Sequence, residues 1–228
     1  MKNLFITGGN GEIGRSVVDA FTKNGYGIIA PTSKELDCSS PAAIEKYFRG
    51  FTHSSIAAFV HCAGINNPKV FTEVTPETIL QTIQINTMSF LYITQHLNKF
   101  FENDKTRIVA ISSIYGSISR SKRIEYATSK HGLKGMVQSL ALELAPRSIL
   151  VNAVSPGFIA TKLTYKNNTP EVLNNLIAAV PLKKLGKPEY IADLVYFLCS
   201  EKIVLSQVRI LLLMVVTSQV DFNLNFLC

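Results

Sequence analysis

At 228 residues, of which 47% are hydrophobic and 17% charged, the chain is long enough for one domain with a sizeable core. The net charge of +7 raises nucleic acid as a partner, but Lys and Arg are scattered and no nucleic-acid motif accompanies them, so an acidic small substrate or acidic carrier protein fits as well. Met1-Lys2-Asn3-Leu4 leads straight to a glycine-rich loop with no room for a signal peptide, and Cys38, Cys62, Cys199 and Cys228 lie too far apart for a CxxC metal or redox pair; the expectation is a cytoplasmic protein with free thiols, no metal site and no membrane span.

Along the chain, short apolar runs at Leu4–Thr7, Ile28–Ala30, Ala57–His61, Ile108–Ser112 and Leu150–Val154 are each followed by turn residues and a longer helix-like segment. Helices are predicted over Ile13–Lys23, Pro41–Phe48, Pro76–Phe101, Glu125–Leu144 and Pro188–Cys199. Thr75 is a predicted N-cap, with Pro76 in the first helical turn. This βαβ alternation predicts an α/β fold, a doubly wound parallel sheet of Rossmann type with helices on both faces in three α/β/α layers. Ligand sites on such a sheet lie at the carboxyl ends of the strands.

Thr7-Gly8-Gly9-Asn10-Gly11-Glu12-Ile13-Gly14 falls where the first strand ends and the first helix begins. Glycines there let backbone N–H groups and the helix N-terminus approach a pyrophosphate, so a dinucleotide is predicted over a purely structural turn. In a dinucleotide fold an acidic residue about 20 residues later, near the end of the second strand, holds the ribose 2′-hydroxyl. Here that strand ends Ala30-Pro31-Thr32-Ser33-Lys34. Two hydroxyls and a lysine in place of the acid lean towards a 2′-phosphate and hence NADP; Glu35 nearby and a merely solvated Lys34 keep NAD open.

Tyr126 and Lys130 stand four residues apart, with Ser113 thirteen residues upstream of the tyrosine. On a helix, i and i+4 share a face, so the Lys130 ammonium can sit beside the Tyr126 hydroxyl. Bringing a phenol from its ordinary pKa of about 10 to neutrality takes about 4 kcal/mol, roughly what one cation about 4 Å away supplies at an effective dielectric near 20. Tyr126 could then act as general acid or base, with Ser113 donating to a substrate oxygen. Taken alone, the pair also fits an ordinary surface helix.

The ordered set of Thr7-Gly8…Gly14, Ala63-Gly64, Asn86, Ser113, Tyr126…Lys130 and Ser155-Pro156-Gly157 resembles the classical short-chain dehydrogenase/reductase family over about the first 200 residues, and in particular its 3-oxoacyl-carrier-protein reductase branch. The resemblance implies a nicotinamide cofactor and a catalytic tetrad of Asn86, Ser113, Tyr126 and Lys130. Tyr126 would protonate the carbonyl oxygen as hydride arrives, and Ser113 would hold that oxygen. Lys130 would lower the tyrosine pKa and bind the nicotinamide ribose, and Asn86 would hold a water that relays protons to Lys130. Cofactor contacts implied are Gly8, Asn10, Gly11, Glu12, Ile13 and Gly14 on the pyrophosphate, and Thr32 and Ser33 at the ribose. Asp37 and Cys38 would face the adenine, Cys62, Ala63 and Gly64 the dinucleotide, and Tyr126, Lys130, Pro156, Gly157, Ile159 and Thr161 the nicotinamide half. The family also implies a homo-dimer or homo-tetramer.

Three departures from the family pattern stand out. Glu12 occupies a position where the family has glycine, and would repel a pyrophosphate unless it points away. The Asn-Asn-Ala-Gly motif appears as His61-Cys62-Ala63-Gly64, which puts the bracing of the sheet in question and makes His61 a core or adenine-wall residue. Third, the helix Pro188–Ala192 is followed by Lys202-Ile203-Val204-Leu205-Ser206 and a strongly apolar run in place of an Asp-Gly-Gly ending. Back-translated and read one base earlier, Ile203–Val216 can spell Asn-Ser-Phe-Ile-Thr-Gly-Gln-Asn-Ile-Val-Val-Asp-Gly-Gly. A base lost from an A-rich run near Lys202 would explain this, against a genuinely divergent tail. The expected organisation is thus one dinucleotide-binding catalytic domain over 1–202 and an atypical, frameshifted tail over 203–228, whose segment Ile210–Leu213 could still add a last strand.

Arg120-Ser121-Lys122-Arg123 lies between Ser113 and Tyr126 and would flank the cleft. The cluster would steer an acidic or phosphorylated substrate, such as an acyl group on a carrier protein, or is a set of solvated loop charges. Ala160–Val180 is expected to cover the substrate as a mobile loop and helix. The reading is an NADP(H)-preferring reductase of a small-molecule carbonyl, like a 3-oxoacyl-thioester reductase. An NAD(P)-dependent sugar or polyol dehydrogenase and a catalytically impaired dinucleotide-binding protein are the alternatives.

Overall fold

The central strands of the sheet send alternate side chains into two helical layers, as the period of two demands. The computed structural model describes residues 2–52, 55–201 and 203, and the backbone of 210–211. Strands β1 (Asn3–Thr7), β2 (Gly27–Ile29), β3 (Ala58–His61), β4 (Arg107–Ile111), β5 (Leu150–Val154) and β6 (Ile210–Leu211) form one parallel sheet in the order β2-β1-β3-β4-β5-β6. Phe5, Phe59, Ile108 and Val151 stand in register across β1, β3, β4 and β5 and pack on one layer. Leu4, Ala58 and Leu150 belong to the other. The expected three-layer α/β/α architecture is therefore the one observed.

Helices α2 (Pro41–Arg49), α4 (Ser89–Leu97) and α5 (Ile124–Leu144) cover the first face through Ile44, Phe48, Phe90, Ile93, Leu97, Leu133 and Val137. The second face is covered by α1 (Glu12–Lys23) and α8 (Pro188–Cys199), through Val17, Phe21, Ile191, Val195 and Leu198. The remaining helices are α3 (Pro76–Ile83), α6 (Lys162–Lys166) and α7 (Pro170–Ala179). Thr75 caps α3 as predicted: its side chain accepts from the Thr78 N–H in a reciprocal capping box, with Pro76 following.

The predicted single helix over Pro76–Phe101 is broken at Gln84–Met88, where a π-helical turn separates α3 from α4. The tertiary contacts there explain the widened turn. Asn86 Nδ2 donates to the Ile65 carbonyl at 2.9 Å and Thr87 Oγ1 to the Ser129 carbonyl at 2.7 Å, so this turn is pulled towards both the β3 loop and α5. Such π-bulges are common at functional sites.

From β1 the chain passes outward to β2, and from β3 onward it builds the other half of the sheet. The crevice between the carboxyl ends of β1 and β3 is thus the topological switch point. His61 does not weaken this corner. Fully buried, its Nδ1 lies 2.9 Å from Thr7 Oγ1, which also accepts from the Ala63 N–H at 3.2 Å. Its ring packs near Phe59 and Phe90. His61 is a core residue bracing β1 against β3. The tail expected to be frameshifted lies outside the described residues, apart from the buried Ile203 and the two backbone positions of β6, which pair with Ala153–Val154.

Candidate active site

One cleft of about 500 Å³ runs along the switch point from the glycine turn to α5, α6 and the loop after α6. Its floor is the turn Gly8–Gly14. Gly8 has φ of +67°, and a Cβ there would come within 2.7 Å of the Ala63 nitrogen; one on Gly14 would come within 2.1 Å of the Gly8 carbonyl oxygen. Only glycine allows this turn to close against β3 and α1. Gly11 caps α1 without a side-chain bond, so the first-turn N–H groups of a twelve-residue helix open onto the cleft with their partial positive charge. Gly8, Asn10, Gly11, Glu12, Ile13 and Gly14 all line it.

The Glu12 carboxylate, which also lines the cleft, has a partner on the far side of the turn. Its Oε2 accepts from the backbone N–H of Lys162, the first residue of α6, which Thr161 caps. The carboxylate therefore links the glycine turn to the loop after β5. In that loop Pro156, Gly157, Ile159 and Thr161 line the cleft, and Ile159 bridges to Gly186.

The opposite wall comes from β4 and α5. The Ser112 N–H donates to the Val154 carbonyl at 2.7 Å and the Ile114 N–H to the Pro156 carbonyl at 3.1 Å, which fixes Ser113 at the end of β4. The Ser113 hydroxyl accepts from the Tyr115 N–H at 3.2 Å, and Ser113 and Tyr126 line the same stretch of the cleft. Lys130 follows one turn later on α5. Its Nζ lies 5.6 Å from the Tyr126 ring centroid and donates to the Ile111 carbonyl at 2.8 Å. The helical spacing thus delivers Lys130 to the face of the tyrosine ring. Burial pushes the Tyr126 phenol up to about 12, against the Ser113 side chain that favours its ionised form, and pushes the Lys130 ammonium down to about 8. The expected depression of the tyrosine by the lysine is absent from the protein alone, because the lysine is 3% exposed and spends its charge on a main-chain carbonyl.

Asn86 is fully buried behind this wall and does not line the cleft. Its Oδ1 accepts from the Ile65 N–H at 2.8 Å and its Nδ2 also donates to Ser129 Oγ at 2.9 Å. Gly64 stands between Asn86 and Lys130: a Cβ there would lie 3.3 Å from Asn86 Oδ1 and 3.6 Å from Lys130 Nζ. Cys62 and Gly64 line the cleft, Ala63 does not. Burial holds the Cys62 and Cys38 thiols up at about 11 and Cys199 at about 12, so these cysteines stay protonated.

At the end of β2 the cleft lining stops short of Thr32, Ser33, Asp37 and Cys38. The Glu35 carboxylate accepts from the Thr32 N–H at 2.8 Å and from its hydroxyl at 2.9 Å, and Asp37 closes a local turn on Ser39. An acid does stand in the loop after β2, six residues beyond its last residue Ile29, and the Thr32–Glu35 spacing is the signal that marks it.

Asn66, Arg123, Asn167 and Asn168 are among further residues that line the cleft and that the sequence did not put forward for the site. Asn167 Nδ2 donates to the Asn66 carbonyl at 2.7 Å and Arg120 Nη2 to Asn168 Oδ1 at 3.0 Å, joining the loop after α6 to both sides of the cleft. Of the basic cluster, Ser121 and Lys122 are exposed, Arg120 is half-buried and Arg123 is buried.

The similarity of the chain to known proteins agrees with this geometry. A family model described as enoyl-(acyl carrier protein) reductase matches residues 5–207, and the 3-oxoacyl-(acyl-carrier-protein) reductase of Aquifex aeolicus is 36% identical over 88% of this chain and 81% of its own. The chain belongs to the short-chain dehydrogenase/reductase family. It is accordingly an oxidoreductase, similar in sequence to 3-oxoacyl reductases. Among solved members of the short-chain dehydrogenase/reductase family, a protein from Francisella tularensis matches with a TM-score of 0.81 at 25% identity, over 89% of this chain and 92% of that one. The aldohexose dehydrogenase of Thermoplasma acidophilum matches with a TM-score of 0.80 at 25% identity, over 94% and 93%. Among the described residues no helix is long and apolar enough to cross a membrane.

Proposed function

We propose that the protein is a cytoplasmic NADP(H)-preferring carbonyl reductase, resembling 3-oxoacyl-thioester reductases, and that Asn86, Ser113, Tyr126 and Lys130 form its catalytic tetrad. The observation that carries this reading is that Ser113, Tyr126 and Lys130 line the same cleft as the glycine turn and the N-terminus of α1. The turn fits a dinucleotide: side chains are excluded at Gly8 and Gly14 and free N–H groups face the cleft, as a pyrophosphate requires. Gly8–Gly14 would hold the diphosphate, and Cys62–Gly64, Pro156, Gly157, Ile159, Thr161 and Lys130 would line the nicotinamide half. When bound, such a cofactor supplies a hydride to a carbonyl carbon or takes one from the corresponding alcohol.

With its phenol held near 12, Tyr126 stays protonated at neutral pH and can give its proton to the carbonyl oxygen as a general acid. The Ser113 hydroxyl, in the same wall of the cleft, can hold the same oxygen and stabilise its developing charge. The Lys130 ammonium adds a positive field across the ring, and Asn86 keeps Ile65 and α5 at a fixed spacing around it. NADP(H) is favoured by Lys34 and the hydroxyls of Thr32 and Ser33, with Asp37 and Cys38 near the adenine end. The Glu35 carboxylate held by Thr32 supports NAD(H) as a second reading, since a carboxylate accepts from a 2′-hydroxyl and repels a 2′-phosphate. A polar substrate end formed by Asn66, Asn167 and Asn168 likewise supports a sugar or polyol dehydrogenase as the second substrate reading. Assembly as a homo-dimer or homo-tetramer belongs to the proposal.

Assays of acetoacetyl thioesters and a sugar panel, each with NADPH and NADH, test it on the purified protein. Turnover of the thioester with NADPH that vanishes in Tyr126→Phe is the expected result. A catalytically impaired dinucleotide-binding protein would bind either cofactor and turn over nothing.

A further inference from the structure

Arg123 is the N-cap residue of α5, three positions before Tyr126, and only 4% of it is exposed, yet it lines the cleft beside Ser113, Tyr115 and Tyr126. A buried guanidinium ordinarily finds a carboxylate, because leaving such a charge uncompensated is costly. Here its recorded partners are neutral. Nη1 donates to Asn66 Oδ1 at 2.9 Å, and the Tyr115 ring centroid lies 6.0 Å from the guanidinium carbon. Its Nε is buried without a partner. The nearest candidate carboxylate along the chain, Glu125, is engaged elsewhere: it accepts from Thr78 Oγ1 and sits 3.7 Å from Lys69 Nζ. Arg120, on the same side of the cleft, adds a second positive charge that opposes the first.

Buried Arg107 shares the unpartnered Nε and the neutral partners, its Nη1 being tied to the carbonyls of Asp104 and Thr106, but it lies outside the cleft. Arg123 instead holds an uncompensated planar donor set in the wall of the cavity that contains the Tyr126 hydroxyl. A planar guanidinium pairs with a carboxylate through two parallel hydrogen bonds, and a site built around an unpaired buried charge rejects neutral analogues strongly.

We propose that Arg123 is a specificity-determining residue that pairs with a free carboxylate carried by the substrate near its reacting carbonyl, so that the enzyme acts on oxo acids and acidic carbonyl compounds in preference to neutral ones. This rests on the carbonyl-reductase reading and selects within it: neutral thioesters become the poorer substrates, and the polar residues Asn66, Asn167 and Asn168 line the path of a charged, hydrated molecule.

The test compares acetoacetate, its methyl ester and an acetoacetyl thioester on the full-length protein, in wild type, Arg123→Gln and Arg123→Lys, with thermal melts confirming the fold of each. The expected result is a kcat/KM ratio of acid to ester well above one in the wild type. That ratio should fall about 10- to 150-fold in Arg123→Gln, the span of a lost charged hydrogen bond of about 1.5–3 kcal/mol, and partly survive in Arg123→Lys. A wild type that prefers the ester or thioester, or an acid-to-ester ratio that Arg123→Gln leaves unmoved, overturns the proposal. Calorimetric binding of malonate, a non-reducible dicarboxylate, separates this from failure of the reductase reading. If no carbonyl compound turns over, malonate bound by the wild type and lost in Arg123→Gln sustains the carboxylate site, and malonate unbound by both removes it.

Discussion

The Glu12 carboxylate accepts a hydrogen bond from the backbone N–H of Lys162 and so ties the glycine turn after β1 to the start of α6. One acidic side chain thereby lines the cleft at the glycine turn while holding the first residue of α6, where the proposed diphosphate would feel its charge. The charge and the tether can be separated by mutation. Glu12→Gln keeps an acceptor and removes the charge, and should tighten dinucleotide binding about five-fold, the Coulomb energy of roughly 1 kcal/mol for unit charges about 4 Å apart in water. Glu12→Ala removes the tether as well, and limited trypsin digestion should then cut faster at Lys162 and Lys166. Equal cleavage in the two variants would mean that the hydrogen bond does not restrain α6.

Tyr126→Phe and Ser113→Ala delete hydroxyls and little volume. A positioned general acid contributes about 10²- to 10⁴-fold; kcat for carbonyl reduction should fall by that much in Tyr126→Phe and by a smaller factor in Ser113→Ala, with unchanged far-ultraviolet circular dichroism. Single-turnover rates with either cofactor read the effect directly, and a Tyr126→Phe variant within a few fold of wild type would remove Tyr126 from the chemistry.

Acid sensitivity should concentrate on His61. Burial lowers its pKa to about 3 from an ordinary 6.5, so below about 6.5 the unfolded chain binds a proton that the folded one refuses. Stability from this group is fully present above the unfolded pKa and declines by up to about 1.4 kcal/mol per pH unit as pH falls towards 3. Urea denaturation at pH 7 and pH 5 should show this loss in the wild type and a smaller one in His61→Asn, whose amide can still meet Thr7. Parallel losses in both proteins would assign the acid sensitivity to other groups.

Gly14→Ala places a methyl 2.1 Å from the Gly8 carbonyl oxygen, backbone against backbone, with no flexible side chain to yield. The turn must open, at a cost of about 1–3 kcal/mol in stability for an overpacked site and with dinucleotide affinity reduced further. A thermal melt and a cofactor titration on the same sample check both, and a variant with wild-type affinity would mean that the turn is not a phosphate cradle.

The architecture was legible because buried parallel strands leave unmistakable apolar runs, and the order of the motifs located the switch point before any contact was known. What escaped the sequence depended on contacts between distant segments. The break at Gln84–Met88 exists because Asn86 reaches Ile65 and Thr87 reaches Ser129, neither of which periodicity encodes. The Tyr126–Lys130 spacing was legible as one helix face, but the bond from the ammonium to the Ile111 carbonyl, supplied by β4, was not. Arg123 looked like one of four loop residues in a solvated cluster; its burial follows from capping α5 against the Asn66 loop. Glu35 was seen as close to Thr32, and only the turn geometry made it a partner.

The Ser113 hydroxyl stands where it does because main-chain bonds join β4 to β5 and the loop beyond it, through Ser112 to Val154 and Ile114 to Pro156. The residues lining the cleft come from crossovers scattered between Gly8 and Asn168, so no partial fold holds a working fraction of them. A chain leaving the ribosome would carry its glycine turn and its tyrosine long before either had a partner, and chemistry would switch on only with the last docking steps. In refolding, recovery of helical signal should run ahead of catalysis, since long-range parallel pairing closes late.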